Sequence, residues 1–233
     1  TADRGDREIV KDGWAKDKNL TALGLGGHTV TAEAAGYLIP LLDPAADKAE
    51  IDDLKQKVDT IKKLPRPITP IAVPLRDGLT ATDLHDTTAA VRFDADGTGL
   101  RKRWTWINPN AAWLVYDPAG RGEVDSALQM FGSVTFWLFW DHGYAALSSL
   151  DDDGDGQLRG GELRGLALWH DANGDGVAER GEVRPLDSYG IVAVSCRHER
   201  DAAHPDRIAF SRAGVTFRDG RTRPTFDLVL KPR

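Results

Sequence analysis

Two short acidic stretches, residues 151–162 and 171–182, have the residue types and spacing needed to enclose a metal ion. In each stretch, oxygen-bearing side chains stand at positions 1, 3 and 5, a glycine at position 6 and a glutamate at position 12. Ca²⁺ takes about 6–8 oxygen ligands, and a loop that bends at the glycine can direct alternate side chains, one carbonyl and the final glutamate to one point. The pattern therefore predicts two calcium sites.

The spacing assigns a ligand set to each loop and is that of the EF-hand calcium loop. In the first loop the predicted ligands are Asp151, Asp153, Asp155, the carbonyl of Gln157 and Glu162. In the second loop they are Asp171, Asn173, Asp175, the carbonyl of Val177 and Glu182, with Glu179 as a further direct or water-mediated ligand. The simpler alternative is a pair of surface turns, because Asp and Gly dominate turns in any case.

The loops begin 20 positions apart, at residues 151 and 171, which is too close for two complete helix–loop–helix units. We therefore expect one short helix over residues 162–170 between them. Its inner face would carry Leu163, Leu166, Ala167 and His170, and a helix ahead of the first loop would present Tyr144, Leu147 and Leu150. In this arrangement Leu158 pins the first loop to its partner. Pro185 leaves little room for a helix after the second loop, so the unit reads as stabilising rather than as a sensor.

Short apolar or alternating runs on both sides of this unit predict β-strands separated by turns rich in Gly, Asn and Asp. The runs are residues 91–93, 104–106, 113–116, 191–196, 208–210, 215–217 and 226–230. Strands, a helical unit and further strands predict an α+β fold, in which hairpins and a small sheet flank a compact helix–loop–helix–loop calcium unit.

The N-terminal part of the chain has a different character. Residues 47–64 form an amphipathic pattern typical of a helix, with Ile51, Leu54, Val58 and Ile61 on one face. Residues 64–74 are rich in proline and predict an extended linker or strap. We therefore expect an N-terminal arm over residues 1–70 and a calcium-binding α+β module over residues 71–233.

Composition favours an exported protein. The chain has 233 residues, 41% of them hydrophobic, a net charge of −6 and no apolar run long enough to span a membrane. Its single cysteine, Cys196, cannot form an internal disulfide and is expected to be a buried strand thiol. Calcium sites of extracellular modules bind at roughly 10⁻⁴–10⁻³ M, which is useful outside a cell. We expect a secreted, periplasmic or cell-surface location, and no nucleic-acid partner.

Several motifs in order resemble the calcium-binding region of repeats-in-toxin-type exported bacterial proteins, including the self-processing module of iron-regulated members. The motifs are residues 93–97, 113–117, 130–132 and 143–147, followed by the two acidic loops joined by residues 166–169. They cover somewhat under half of the chain.

The resemblance implies a calcium-triggered reaction that cuts an Asp–Pro bond at the N-terminal edge of the module and joins the new Asp carboxyl to a Lys amine. In this chain Thr69 precedes Pro70 where the reactive Asp is expected, and a hydroxyl cannot form the cyclic anhydride. The other Asp–Pro bonds, at Asp43 and Asp117, do not match that edge.

The resemblance also implies acidic turns at Asp94 and at Asp117, and both depart from the family pattern. Thr98 replaces the third acid of the first turn, while Ala119 and Arg121 occupy ligand positions of the second. We expect neither turn to keep a complete calcium site.

Three functions are compatible with these observations. The first is a non-enzymatic, calcium-stabilised structural or attachment module that binds another protein of an exported or surface assembly. The second is calcium-dependent self-processing. The third is binding of a polysaccharide or protein through aromatic side chains, for which Trp137, Phe139 and Trp140 are the candidates. Trp104, Trp106 and Trp113 could also offer stacking faces. For all six residues the commoner alternative is that the ring faces a core.

Overall fold

The computed structural model describes residues 68–138, 140–200 and 207–233, without the side chains of residues 207 and 208. These residues belong to one compact unit, Pro67–Arg233. Most of the predicted arm, including its amphipathic helix and the Asp43–Pro44 bond, lies outside the described residues, and the boundary at residue 70 stays a prediction. Within the described part, no helix combines the length and apolar character required to cross a bilayer.

The described chain is built mainly from short strands. They are β1 (Ile71–Pro74), β2 (His85–Phe93), β3 (Lys102–Ile107), β4 (Ala111–Tyr116), β5 (Gln157–Arg159), β6 (Leu166–Trp169), β7 (Val183–Pro185), β8 (Ile191–Ser195), β9 (Glu199–Arg200), β10 (Arg207–Phe217) and β11 (Thr222–Leu228). Two one-turn α-helices occur in the described residues, α1 (Ala81–Leu84) and α2 (Gly143–Leu147). The 3₁₀ turns are Ala127–Gln129, Thr135–Trp137, Ser148–Leu150, Gly160–Leu163 and Leu186–Tyr189.

Nine of these strands form one curled antiparallel sheet in the order β5-β8-β10-β11-β1-β4-β6-β7, with β9 pairing beside β10. Strands β2 and β3 form a separate hairpin. The fold is therefore mostly β, and the predicted α+β fold with a helix–loop–helix–loop unit is wrong. The strands predicted around residues 91, 104, 113, 191, 208, 215 and 226 are confirmed, with residues 208–210 and 215–217 joined in the single strand β10.

The predicted helix over residues 162–170 is replaced by the strand β6, which lies between β4 and β7. All four of its residues are buried, because Ala167 and Trp169 face one core while Leu166 and Leu168 face another. A strand that is buried on both faces shows no alternation, so its pattern does not distinguish it from a helix. Gly165 enters the strand at a φ of 84°, with the ring of Tyr116 only 2.9 Å from where a Cβ would lie. That backbone bend ends the preceding turn.

The proline-rich stretch also contains a strand. Residues 71–74 form β1 in the middle of the sheet, where Ala72 pairs with both Trp113 of β4 and Phe226 of β11. Extended backbone was expected over residues 64–74, as a linker or strap, and residues 71–74 are extended as a strand of the sheet. Proline is tolerated because Pro70 and Pro74 stand at the ends of the paired segment.

Two hydrophobic cores lie on the two faces of the sheet. The first, which we call the tryptophan core, lies between the sheet and the β2–β3 hairpin and includes Phe93, Trp106, Trp113 and Trp169. The second, the aliphatic core, includes Ile71, Leu114, Phe131, Tyr144, Leu147, Leu158 and Leu168. The central strands of the sheet are therefore buried on both faces, unlike the strands of an antiparallel sheet that has one face in solvent.

Candidate metal-binding loops

The first acidic loop leads from the 3₁₀ turn Ser148–Leu150 into β5. The carboxylate of Asp151 accepts hydrogen bonds from the backbone N–H of Gly154 and Gly156, both at 2.9 Å. Asp153 and Asp155 each accept a bond from the N–H two residues further on, at 3.1 and 2.7 Å. One carboxylate oxygen from each of the three aspartates lies within 4.8 Å of the others. The loop therefore collects three acidic groups in a space of the size of a cation site.

Glu162 closes this loop from its far end. Its Oε1 accepts a hydrogen bond from the N–H of Asp152 and its Oε2 one from the N–H of Arg159, both at 2.9 Å. Gln157 begins β5, and its side-chain oxygen accepts a bond of 2.6 Å from the Arg159 guanidinium. Its side chain is thus engaged by Arg159, while its predicted contribution to the metal is the backbone carbonyl.

The second loop connects β6 to β7 and repeats the same bonding. Asp171 accepts bonds from the N–H groups of Gly174 and Gly176 at 2.8 and 2.9 Å. Asp175 accepts one from Val177 N–H at 2.8 Å, and Glu182 accepts one from the N–H of Ala172 and one from that of Glu179, both at 3.1 Å. Asn173 accepts through Oδ1 from Asp175 N–H at 3.1 Å and donates its Nδ2 to Asp175 Oδ2 at 3.0 Å.

Asp171 is the buried member of the second set, with only 1% of its surface exposed. Burial raises the pKa of its carboxyl, and the nearby Glu182 charge acts in the same direction, while bonds from Gly176, Trp106 and Asp175 oppose the rise. A cation bound beside this carboxylate would favour its ionised form, because opposite charge offsets the cost of desolvation. Oxygen donors, close packing and excess negative charge fit a hard divalent ion.

Each loop is fastened to the body of the protein by an arginine that is remote in sequence. Arg101 donates to the carbonyl of Gly176 at 2.9 Å, and Arg197 donates to the carbonyl of Asp155 at 3.0 Å. A Cβ on Gly156 would lie 2.7 Å from Nε of Arg197. The sequence pattern did not single out these arginines, since 75 and 42 residues separate them from their acceptors.

The loops do not pack against each other through their eighth residues as EF-hand loops do. Leu158 lies in β5 and pairs with Val194 of β8, so the expectation that Leu158 pins the first loop to its partner is wrong. The first loop belongs to one edge of the sheet and the aliphatic core, whereas the second joins the edge strand β7 and packs Ala178 on the tryptophan core.

Four turns of the chain share one backbone design. Residues 94–99, 117–122, 151–156 and 171–176 each begin with an aspartate and carry glycine at their fourth and sixth positions, with φ of all eight glycines between 62 and 84°. In each turn the first aspartate accepts a bond through Oδ2 from the N–H of the sixth residue, at 3.1, 2.8, 2.9 and 2.9 Å in chain order. The turns at Asp94 and Asp117 therefore keep the loop geometry although they lack part of the ligand set.

The aromatic segment at residues 136–138 and 140 is more exposed than the buried tryptophans. Trp137 is 70% exposed and Leu138 53% exposed, whereas Trp104, Trp106 and Trp113 lie in the tryptophan core. Trp140 is half-buried and donates its Nε1 to the carbonyl of Thr135 at 3.0 Å. Phe139 lies outside the described residues. The predicted partner-binding residues thus include one ring, that of Trp137, which faces solvent.

Backbone strain accompanies this exposure. Phe136 and Trp137 have φ of 58 and 63°, a left-handed conformation that aromatic residues seldom adopt. Phe136 packs its ring edge-on against Tyr116 and Phe131, at centroid distances of 5.3 and 6.0 Å. The anchored Phe136 therefore fixes a turn that directs Trp137 outward.

The edge at which processing would occur is buried. Thr69 is 0% exposed, and the carbonyls that flank it accept sheet-like bonds, Ile68 from Leu230 N–H at 2.8 Å and Pro70 from Leu228 N–H at 3.1 Å. The side chain at this position is a buried hydroxyl that lies beside the Asp227 carboxyl and acts to lower its pKa. The structure thus places no carboxylate of residue 69 beside the peptide bond.

Comparisons with known proteins agree with the resemblance found in the sequence. The chain is 30% identical over 150 residues to the iron-regulated protein FrpA of Neisseria meningitidis serogroup C, an alignment that covers 61% of this chain and 13% of FrpA. The SPM domain family matches residues 75–231, which include both acidic loops and nearly all of the described sheet. This chain belongs to the SPM domain family, and it resembles the self-processing module of iron-regulated bacterial proteins.

Proposed function

We propose that this chain is a calcium-stabilised structural and attachment module of an exported bacterial protein. The observation that carries the proposal is the convergence of the Asp151, Asp153 and Asp155 carboxylates within 4.8 Å, closed by Glu162 across the same loop. Three or four negative groups in one turn repel each other unless a cation offsets their charge. In the second loop the side chains of Asp171, Asn173, Asp175 and Glu182 accept backbone N–H bonds in a similar pattern, and we assign the same roles to them and to the carbonyl of Val177.

Calcium would act on stability by mass action, because the assembled loops exist only in the folded chain. An ion at 100 times its Kd adds about 2.7 kcal/mol per site, which corresponds to a rise of roughly 5–10 °C in Tm for a chain of this size. We expect thermal unfolding to move by this order between chelator and millimolar calcium. The stoichiometry from calorimetric titration should be two.

The first loop offers a closely matched pair of variants. Asp153→Asn keeps the Oδ1 acceptor of its turn but removes one candidate ligand charge, whereas Asp152→Asn removes an equal charge from an exposed, non-ligand position of the same loop. Asp153→Asn should lower calcium affinity at this site at least tenfold, and Asp152→Asn should alter it much less. Equal effects of the two variants, or a Tm that ignores chelator, would contradict the proposal.

Attachment is the second part of the proposal and is supported by the exposed Trp137 and Leu138 on a strained turn. An outward apolar side chain held by costly backbone geometry suits a contact with another protein of an exported assembly. The relative FrpA is about eight times longer than the matched segment, since the chain spans 13% of it. Trp137→Ser should abolish co-purification with the partner of the full-length protein and leave Tm unchanged, with Leu100→Ser, at another exposed apolar position, as the control.

The proposal does not include self-processing, because Thr69 supplies a hydroxyl where the reaction needs a carboxylate. Purified chain incubated with millimolar calcium should stay intact on a denaturing gel. Fragments broken at Asp43–Pro44 or at Asp117–Pro118 would show that the reaction survives at another bond.

A further inference from the structure

In the turn at residues 94–99, only one of the two carboxylate oxygens of the buried Asp94 has a hydrogen-bond partner among the described residues. Asp94 is 6% exposed, and its Oδ2 accepts from Gly99 N–H at 3.1 Å. Its Oδ1 is buried and has no hydrogen-bond partner among the described residues. A polar oxygen that is buried without a hydrogen bond costs free energy.

A lysine of the β2–β3 hairpin brings a positive charge to this turn, at Asp96. The ammonium of Lys102 forms an ion pair with Oδ2 of Asp96, the third residue of the turn. Lys102 opens β3 and pairs with Phe93, the residue immediately before Asp94, so the hairpin register sets the ammonium beside the turn. Thr98 stands at the fifth position of the turn, where both acidic loops have an aspartate, and its hydroxyl donates to Asp96 Oδ1 at 2.7 Å.

Asp96 links this ion pair to the turn, because its other carboxylate oxygen accepts from the Thr98 hydroxyl. Burial raises the pKa of its carboxyl, but the hydrogen bonds and charge of Lys102, together with the Thr98 hydroxyl, outweigh that effect and hold the pKa below its usual value. The side chains of Lys102 and Asp96 are 46% and 22% exposed, so solvent screens part of their attraction.

We propose that Lys102 is a built-in cation for this turn, and that its ammonium takes the place which a metal ion fills in a complete acidic loop. The turn then closes in the absence of calcium. Two other contacts of the same hairpin, Arg101 to Gly176 and Trp106 to Asp171, hold the second acidic loop, so a closed hairpin presents that loop in its folded geometry. This inference concerns a third turn and does not rest on calcium binding by the other two.

Three variants of the full chain test it in chelator, where no metal contributes. Lys102→Met keeps the side-chain length and removes the charge, Lys102→Arg keeps the charge, and Arg103→Met removes a charge from the next, exposed residue of the same strand. Lys102→Met should lower Tm by about 3 °C more than Arg103→Met, and Lys102→Arg should recover most of the loss. Equal losses for the two methionine variants, or no recovery with arginine, would overturn the inference.

A calcium titration adds an independent reading. Asp94→Asn should leave the number of calcium equivalents bound by the otherwise unchanged chain as it is, because the ammonium already serves this turn. Loss of one equivalent in that variant would show that the turn holds metal and would overturn the inference. A chain that binds no calcium at all would refute the proposed function. The comparison of variants in chelator would still test whether the Lys102 ammonium stabilises the turn.

Discussion

The indole N–H of Trp106 donates a hydrogen bond of 2.7 Å to Oδ2 of Asp171, the first residue of the second acidic loop. A second indole, that of Trp169, reaches the Glu182 carboxylate at the other end of the loop at 3.4 Å. The two indole rings contact each other edge to face at 5.7 Å. The candidate ligands at positions 1 and 12 are therefore bonded directly to the tryptophan core.

Calcium binding at the second loop should therefore alter tryptophan emission. The charge of a cation beside Asp171 and Glu182 changes the field at both indoles, so calcium titration should give a spectral shift. Asp175→Asn should weaken that response about tenfold in calcium concentration, and Asp153→Asn should leave it in place because the first loop packs on the aliphatic core. A response abolished by Asp153→Asn and kept by Asp175→Asn would refute this assignment.

Glycine substitutions should separate backbone strain from packing in the second loop. Gly174 and Gly176 have φ of 70 and 73°, but a Cβ on Gly174 meets nothing within 4 Å, while one on Gly176 would lie 2.4 Å from Val91 Cγ1 and 3.0 Å from the Arg92 carbonyl. Gly174→Ala should cost about 1 kcal/mol from the left-handed backbone alone. Gly176→Ala should cost about 3 kcal/mol or more, because it adds overpacking against the hairpin. Urea denaturation in chelator measures both, and equal costs would contradict the packing account.

Asp227 should make stability fall as the pH rises. It is fully buried, and burial raises the pKa of its carboxyl well above the usual value. The N–H of Gly143, which donates to it at 3.0 Å, and the Thr69 hydroxyl act in the opposite direction. The folded chain thus binds a proton that the unfolded chain releases near pH 3.8. The contribution of Asp227 to the free energy of unfolding is fully present below pH 3.8. It decreases as the pH rises from there to the raised pKa, by at most about 1.4 kcal/mol per pH unit.

Replacing Asp227 by Asn should remove this slope, because the amide keeps the size of the side chain but does not titrate. Unfolding free energies measured in chelator between pH 5 and 8 would show it, with the exposed Asp125→Asn expected to retain the wild-type slope. A wild-type slope in Asp227→Asn would mean that the carboxyl is already ionised in the fold.

His142 should have the opposite effect and make the free energy of unfolding decrease as the pH falls below about 6.5. Burial lowers the pKa of its imidazole, with help from the charges of His198 and Arg200 and against that of Asp141. Its Nδ1 accepts from Ala145 N–H at 3.2 Å and caps α2, so it must be unprotonated. This stability is present above the ordinary pKa of 6.5 and is lost as the pH falls through the lowered value.

Asn at position 142 can cap the helix without titrating. His142→Asn should therefore flatten the loss of unfolding free energy below pH 6.5, which is at most about 1.4 kcal/mol per pH unit in the wild-type chain. Chemical denaturation at stepped pH in chelator provides the measurement, and His170→Asn, at a half-buried histidine just before the second loop, serves as the control. An unchanged acid limb would place the responsible group elsewhere.

The sequence was informative wherever the required chemistry is local. Alternate oxygens and glycines at fixed offsets predicted two acidic loops, and the three aspartates of the first loop do lie together, while calcium binding at either loop stays a prediction. Alternation predicted the hairpin strands. It failed at β6, because Leu166–Trp169 is buried on both sides and its pattern is also that of a helix. The contacts that Trp106, Arg101 and Arg197 make with the acidic loops could not be predicted from the sequence, because only the tertiary fold brings residues so far apart in the chain together.

The attachment of the acidic loops to different cores has a consequence for how this domain would respond to falling calcium. An ion released at one sheet edge leaves the contacts of the other edge intact, so the two halves should loosen in separate steps rather than together. Amide exchange would then register two protection thresholds along one chain, one for the strands beside β5 and one for those beside β7.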